Sequence, residues 1–600
     1  MYGWIGKILR VDLGKASCKE EPLCPDTAAK FIGARGLGAK ILFDEIDPGT
    51  DPLGPGNKLI LAAGPLTGTA AISGGRYNVI AKSPLTGGIA ASNSGGYWGP
   101  ELKYAGFDAI VFEGRADKPV YLWVNNGKAE LRPADKSWGK TTGETEDLIR
   151  AETDAEAKVA CIGPGGEKLV KFAGVVCDKT RAAGRSGVGA VMGSKNLKAV
   201  AVRGTGGVKI ANKQAFRDLV LDIYKNKVKT AGVTSSGLPS FGTAILVNVI
   251  NAHGIFPTRN FQTGVFEGAG RISGETLADT LLVRRKACFG CPIGCARPSR
   301  VEKGKYRCSG EGPEYESAWA LGADCGVDNL EAVTKANSVC NELGIDPISM
   351  GATLACAMEL YEKGYMPGSA SELELRFGDP DVLVEAVRKT GMREGIGDLL
   401  AEGSYRLASR FGHPELSMSS KKQEYPAYDP RGCQGIGLNY ATSNRGGCHV
   451  RGYMISAEIL GVPEKLDPFV IEGKAGWTKA FQDITAAVDS AGVCLFTTFA
   501  IGLPEVAAML KEATGVAYTP ETALAAGERI WNLERLFNFK AGITGADDTL
   551  APRLLEEPMP EGPAKGRVTR LGEMLGDYYK ARGWSETGEP LPETLARLGL

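Results

Sequence analysis

Lys286-Ala287-Cys288-Phe289-Gly290-Cys291-Pro292-Ile293-Gly294-Cys295 is the stretch on which the reading of this chain turns. Three thiols packed this tightly, with Gly290, Pro292 and Gly294 between them, describe a loop folded closely around a soft metal centre. An iron–sulfur cluster needs a fourth ligand, and Cys494 is the distant candidate. A zinc site would need another Cys or His nearby. Cys308 is the only near one, since no His lies between His253 and His413. A 4Fe–4S cluster, zinc and unligated buried thiols are the three readings, and the loop favours the cluster.

Around this loop lie 600 residues, enough for two to four domains with their own cores. The 70 basic residues balance 70 acidic ones. Nothing here suits nucleic acid or an anionic membrane surface, where a basic face is expected. Gly accounts for 81 of the 600 residues, about twice the usual share. These glycines cluster in separate turns, which points to backbone brought close to a ligand. The opening Met1-Tyr2-Gly3-Trp4-Ile5-Gly6-Lys7 is not a signal peptide pattern. No run of about 18 apolar residues predicts a membrane span. Fourteen cysteines in so long a chain fit a reducing, cytoplasmic location and metal ligation better than a disulfide framework.

The texture of the chain predicts an α+β fold. Residues 1–210 read as a β-rich domain, with strands over Trp4–Leu13, Lys58–Ala62, Tyr77–Ala81, Ala109–Phe112, Val120–Val124 and Val159–Ile162, and Leu197–Val202 as the last strand. Helical periodicity follows at Lys213–Lys227, Glu331–Leu343, Ile348–Lys363, Asp381–Lys389, Ile396–Phe411, Glu505–Ala513 and Pro520–Phe539. Two helical domains, 211–417 and 418–600, are expected, with a ligand held at the domain interface.

One internal echo links those halves. Asn341-Glu342-Leu343-Gly344-Ile345-Asp346 and Asp489-Ser490-Ala491-Gly492-Val493-Cys494 both read Asp/Asn-x-x-Gly-[Ile/Val]-[Asp/Cys], each after a helical segment. A Gly that ends a helix between polar groups can present them to a planar polar ligand. Two ordinary helix caps would look the same. Cys494 gains weight as the fourth cluster ligand because it closes the second copy.

Three glycine-rich turns also stand out: Ser73-Gly74-Gly75-Arg76, Ala91-Ser92-Asn93-Ser94-Gly95-Gly96 and Thr180 to Ala190. Exposed backbone N–H groups and Arg forks suit phosphate. Each alone is also compatible with a β-turn carrying a solvated Arg. Gly184-x-x-Gly187-x-Gly189 is not a good dinucleotide fingerprint, because no clear strand leads into it. His449 lies in the polar stretch Asn444-Arg445-Gly446-Gly447-Cys448-His449-Val450-Arg451, where an imidazole could donate to an oxyanion or pass a proton. Glu311, Glu314 and Glu316 follow the cysteine loop, and a carboxylate near a metal centre can act as a base.

Together these residues resemble the aldehyde:ferredoxin oxidoreductase family of tungsten enzymes. The match runs over nearly the whole chain. It includes Gly3-Trp4-x-Gly6-Lys7-Ile8-Leu9-Arg10-Val11-Asp12-Leu13, the run from Gly184 to Lys195, the cysteine triplet, Gly312-Pro313-Glu314-Tyr315-Glu316 and both echo motifs. The resemblance implies tungsten held by two pterin cofactors beside a 4Fe–4S cluster on Cys288, Cys291, Cys295 and Cys494. It makes Asn341, Gly344, Ile345 and Asp346 one pterin holder, and Asp489, Val493 and Leu495 the other. It assigns Arg76, Asn93, Gly95, Arg181, Ala183 and Arg185 to phosphate-binding turns, with Asn93 and Ala183 as backbone carbonyl ligands of a magnesium ion. Arg445 and Arg451 would also touch cofactor, and Glu314 and His449 would be the polar pair beside tungsten. Two departures are visible. Asn341 stands where the family has Asp. Glu331-Ala332-Val333-Thr334 lacks the His of the Glu-x-x-His pattern that carries an intersubunit iron in some members, so that iron is not expected.

The implied reaction is oxidation of an aldehyde to a carboxylic acid, with Glu314 activating a water and His449 polarising the aldehyde oxygen. Electrons would leave through the cluster to ferredoxin or an iron–sulfur partner subunit, in a homo- or hetero-oligomer. The rival readings are the tungsten subunit of a low-potential aromatic acyl-CoA reductase, a non-catalytic iron–sulfur electron carrier and, last, a zinc-dependent nucleic-acid binder.

Overall fold

The computed structural model describes residues 1–600. Its N-terminal region holds twelve strands: β1 Lys7–Asp12, β2 Ser17–Pro22, β3 Leu59–Ala63, β4 Tyr77–Lys82, β5 Ile89–Ser94, β6 Ala109–Glu113, β7 Val120–Asn125, β8 Lys128–Pro133, β9 Lys158–Cys161, β10 Val175–Cys177, β11 Arg181–Ala183 and β12 Leu197–Arg203. They form two six-stranded sheets, ordered β2-β1-β6-β3-β4-β5 and β11-β10-β9-β12-β7-β8. Read from opposite ends, the two orders are the same. Each unit opens with an antiparallel hairpin, β1–β2 or β7–β8. In each, the first strand then runs parallel to the last, β1 beside β6 and β7 beside β12. Helices occupy matching places too, at Ala34–Glu45 and Thr142–Glu152, then at Trp98–Tyr104 and Val188–Ser194. The domain is a duplicated unit.

Packing explains why its strands read as unbroken apolar runs. Along β3, Leu59 and Leu61 enter the core between the sheets, whereas Ile60 and Ala62 face helices. Along β6, Ile110 and Phe112 point inward and Ala109 and Val111 outward. Alternate residues are buried on opposite faces, so no polar position survives. The outer face of the first sheet packs beneath helices Lys474–Ala491, Leu503–Thr514 and Pro520–Lys540. Val170, Phe172, Ala173 and Ala190 of the second unit instead join the core built by helices Leu330–Leu343 and Pro347–Glu362.

The echo motifs dock at corresponding points of the two units. Gly344 (φ +70°) and Gly492 (φ +86°) end their helices in the left-handed conformation that Gly tolerates best. The Gly344 carbonyl accepts the Gly174 N–H at 2.9 Å just before β10. The Gly492 carbonyl accepts the Arg76 N–H at 3.2 Å just before β4. A Cβ on Gly64, after β3, would lie 2.4 Å from the Ala491 carbonyl, and one on Gly163, after β9, 2.5 Å from that of Leu343. The echo is thus more than two unrelated helix caps: each cap needs a side-chain-free neighbour on its own sheet.

Several expectations need correction. Ile396–Phe411 is two helices, Ile396–Leu400 and Ser404–Arg410, because Gly403 turns the chain at φ +86°. Leu197–Val202 is the last strand of the N-terminal region, and a separate hairpin of Pro298–Val301 and Cys308–Glu311 follows the cysteine loop. Ala91 to Ser94 belong to β5, so that turn begins only at Gly95. A strand does lead into Gly184, namely β11, although it is antiparallel to β10 and opens no parallel crossover. No single helix is long and apolar enough to cross a membrane.

Candidate functional site

Strands β5 and β11 are the edge strands at which the two sheets meet. A cavity of about 660 Å³ opens there, walled by both echo motifs, the cysteine loop and the stretch around His449.

The cysteine loop hangs from a bridge between Lys286 and Ala296 and turns at Gly290 and Gly294, both at positive φ. Ser73 ties it to the distant cysteine: its N–H donates to the Gly290 carbonyl at 2.9 Å, and its carbonyl accepts the Cys494 N–H at 3.2 Å. Cys288, Cys291, Cys295 and Cys494 all line the cavity. Arg76 adds a cation, donating from one Nη to the Cys494 Sγ at 2.8 Å and from the other to the Asn93 Oδ1 at 3.2 Å. Four thiols around one space suit a cluster.

A second feature is buried positive charge. Arg185 donates to the Asp346 carboxylate at 3.1 Å and to the Gly447 and Glu424 carbonyls. Arg451 pairs with Asp489 at 2.7 Å and also donates to the Ala91 carbonyl, which Arg445 contacts at 2.9 Å. Arg35, fully buried in the helix Ala34–Glu45, makes a two-pronged pair with Glu534 and lies 3.5 Å from Asp489. Burial and the neighbouring Arg35 and Arg445 push Arg451 down to about 9. Buried guanidinium groups gathered in this way suit a phosphate-bearing ligand. Arg181, by contrast, is engaged by Glu311.

The reactive candidates come next. Glu314 precedes the helix Tyr315–Ala320, and its carboxylate accepts from the Thr243 hydroxyl, which itself accepts the Tyr315 N–H at 2.9 Å. Burial raises its pKa, while Arg181 and Thr243 pull the other way. His449 is held neutral, its pKa lowered by burial and by Arg185 and Arg445. Glu316 Oε1 lies 3.4 Å from His449 Nε2, and its other oxygen accepts the Ala427 N–H at 2.9 Å. Burial pushes Glu316 up to about 8. Glu316 Oε1 and His449 Nδ1 are buried without a hydrogen-bond partner, a cost proteins usually avoid unless a ligand completes the site.

Known proteins bear on this arrangement. The family model described as "Aldehyde ferredoxin oxidoreductase, N-terminal domain" matches residues 8–204, and that for "domains 2 & 3" matches residues 219–600. The chain belongs to the aldehyde ferredoxin oxidoreductase family. A relative from Pyrococcus furiosus, named tungsten-containing aldehyde ferredoxin oxidoreductase, is 55% identical over 100% of this chain and 99% of its own. A second Pyrococcus furiosus relative, the WOR-like subunit of an aliphatic sulfonate oxidoreductase, is 31% identical and covers 100% of this chain and 97% of its own. Among solved structures, the active site complex BamBC of benzoyl coenzyme A reductase, with 1,5-dienoyl-CoA, has a TM-score of 0.86 at 26% identity. That match covers 100% of this chain and 97% of the other.

Set against this family, the sequence-derived site residues divide in two. Arg76, Asn93, Gly95, Arg181, Arg185, Asn341, Asp346, Arg445, Arg451, Asp489, Leu495, Glu314, His449 and the four cysteines line the cavity. Ile345 and Val493 instead turn their side chains into hydrophobic cores. Gly344 spends its N–H and carbonyl on the protein, and Ala183 sits in the inter-sheet core. Residues of this second group can meet a ligand only through backbone atoms. The turn that carries Arg185 is not a solvated turn, for Arg185 is buried. Sequence reading missed Arg35, which stands in the small and apolar run Gly33-Ala34-Arg35-Gly36-Leu37-Gly38-Ala39, a usable signal of a buried charge. It also missed the aromatic row of His449, Tyr453, Phe499 and Phe496, whose successive ring centroids lie 6.0, 6.1 and 6.3 Å apart. No local pattern marks that row.

Proposed function

We propose that this protein oxidises aldehydes to carboxylic acids at a tungsten centre carried by two pterins, and passes the electrons through a 4Fe–4S cluster to ferredoxin or an iron–sulfur partner subunit. The observation that carries the reading is the convergence of four thiols, Glu314, His449 and an arginine cluster on one cavity. Identity of 55% over full length to a tungsten-containing aldehyde ferredoxin oxidoreductase supports it.

Residue roles follow from chemistry. Arg76, Arg185, Arg445 and Arg451 would hold pterin phosphates, and Arg181 would join them by exchanging Glu311. The backbone carbonyls of Asn93 and Ala183 would hold a magnesium ion, which would offset phosphate charge. Asn341, Asp346 and Asp489 offer side chains, and Gly344, Ile345, Val493 and Leu495 backbone, to the pterin edges. Cys288, Cys291, Cys295 and Cys494 would ligate the cluster. When bound, the tungsten centre would supply two-electron redox chemistry and the cluster one-electron transfer.

The overall change is RCHO + H2O → RCOOH + 2 H⁺ + 2 e⁻. Glu314 accepts a proton from the water that adds to the aldehyde carbon, and its burial keeps it basic enough to do so. Neutral His449 donates a ring N–H to the aldehyde oxygen. Trp477, Phe481 and Phe499 form an apolar wall that takes the R group and thins the water around it.

Glu316 sets a pH limit. Below about 8 its carboxyl is neutral. Above that value it ionises beside His449 and repels the forming carboxylate. Turnover should therefore fall above about pH 8. Glu316→Gln should flatten that limb, and a pH–rate profile that still falls in the variant would defeat the role.

A second reading has one observation in its favour, the TM-score of 0.86 to the benzoyl coenzyme A reductase complex. One anaerobic preparation separates the two. Tungsten and iron content together with viologen reduction by aromatic and aliphatic aldehydes is the expected result. Tungsten present but no aldehyde oxidised would favour an acyl-CoA reductase, and iron without tungsten or molybdenum an electron carrier.

A further inference from the structure

The cysteine loop rests on a buried charge that the cavity chemistry does not use. Arg297, two residues after Cys295, is only 2% exposed. Its Nε donates to the Cys295 carbonyl at 3.0 Å, and one Nη donates to the Gly294 carbonyl at 2.7 Å. The same guanidinium reaches the Pro239 carbonyl at 2.8 Å and the Ser240 carbonyl at 3.0 Å, both in the short helix Leu238–Phe241. Arg297 thus ties the end of the cysteine triplet to a second segment of chain. Every acceptor it uses is a neutral backbone carbonyl.

This charge has no counterpart among the side chains. Nine arginines are buried. Seven of them pair with a carboxylate, as Arg35 does with Glu534 and Arg582 with Asp483. Arg445 and Arg297 are the exceptions. Arg445 lines the cavity and donates to the Cys448 Sγ. Arg297 acts on Glu314 only from a distance, since that carboxylate is given to Thr243. A buried cation without an anion is costly. Carbonyls satisfy its N–H groups but do not neutralise it. The anion that the adjoining loop is built to take is the cluster. Four thiolates around a 4Fe–4S core carry net negative charge, and reduction adds one more electron.

We propose that Arg297 is the buried counter-charge of the cluster, a positioning residue that holds Gly294 and Cys295 in place and makes the reduced cluster easier to form. This rests on the iron–sulfur part of the reading above. Electrons from the aldehyde reach the cluster one at a time, and a fixed cation beside Cys295 favours the more negative, reduced form. Burial gives this charge a larger effect than a surface charge, which water and salt screen.

The test is an anaerobic redox titration of the complete enzyme with dithionite, following the reduced cluster by electron paramagnetic resonance and iron by metal analysis. Arg297→Gln keeps hydrogen-bond donors and loses the charge. It should leave the cluster about tenfold or more less reduced at a fixed potential, which is a midpoint lower by about 59 mV or more for one electron. Arg297→Lys keeps the charge and loses the planar fork, so its midpoint should stay near that of the wild type. Arg300→Gln removes an exposed charge from the strand that follows, Pro298–Val301, and should shift nothing. An unchanged midpoint in Arg297→Gln overturns the proposal, as does a comparable shift in Arg300→Gln. An equal shift in the Gln and Lys variants of Arg297, or an equal loss of iron from both, also overturns it, because shape rather than charge would then be the cause. Iron lost from Arg297→Gln and kept by Arg297→Lys supports it, since only the Lys variant keeps the charge. A wild-type preparation without a 4Fe–4S signal defeats the parent reading, and this inference falls with it.

Discussion

Glu314→Gln should leave the protein folded and its metal content unchanged, while turnover falls about 10²–10⁴-fold. The physical case rests on what Gln keeps and what it loses. Its amide oxygen can still accept from Thr243, so the bond that links Glu314 to the Tyr315 backbone survives. The helix Tyr315–Ala320 therefore has no reason to move. What disappears is a carboxylate whose affinity for protons is raised by burial, the property a base beside a substrate needs. Metal analysis and steady-state viologen reduction on the same sample check the result. Unchanged turnover would remove Glu314 from the mechanism and turn attention to Glu316, the carboxyl group that stands against His449.

Cys494→Ser is expected to be the more destructive change. A serine hydroxyl is a hard, weakly acidic group that does not replace a thiolate on iron, and cluster affinity should fall on the order of 10²-fold or more. The backbone around it should persist, because Ser73 holds the residue through its N–H. Arg76 would lose the sulfur it now contacts at 2.8 Å. The expected signature is an altered or missing 4Fe–4S signal in electron paramagnetic resonance, with dye reduction lost in proportion. An intact signal with normal electron transfer would sink the assignment. Cys308→Ser is the natural control: Cys308 lies in the hairpin after the loop and does not line the cavity.

Much of the cluster region was legible in the sequence, and the reason is local. Cys288, Cys291 and Cys295 lie within one loop, and the glycines that shape it are between them. The echo of 341–346 and 489–494 was legible because helix, Gly cap and polar end form one short motif. The duplication beneath it was not. The two units share little beyond features such as Ala62-Ala63-Gly64-Pro65 against Cys161-Ile162-Gly163-Pro164. Burial on both faces lets any apolar residue serve, so the strands could diverge while their order stayed the same. Gly64 and Gly163 held because a Cβ would strike a carbonyl.

By itself, then, the sequence determined the family, the α+β division, the cysteine motif and the two cap motifs. All of these rest on residue types at short spacing. Only the tertiary structure decided which polar groups meet. Arg76 reaches Cys494 across 418 positions, and Arg35 reaches Glu534 across 499. It decided that Ile345 and Val493 turn into cores while Asn341 and Asp489 face the cavity. It also decided that Glu316, and not Glu314, stands against His449. No periodicity encodes such pairings. They follow from where two sheets and their helices close on one another, and burial there changes the protonation of the groups they bring together.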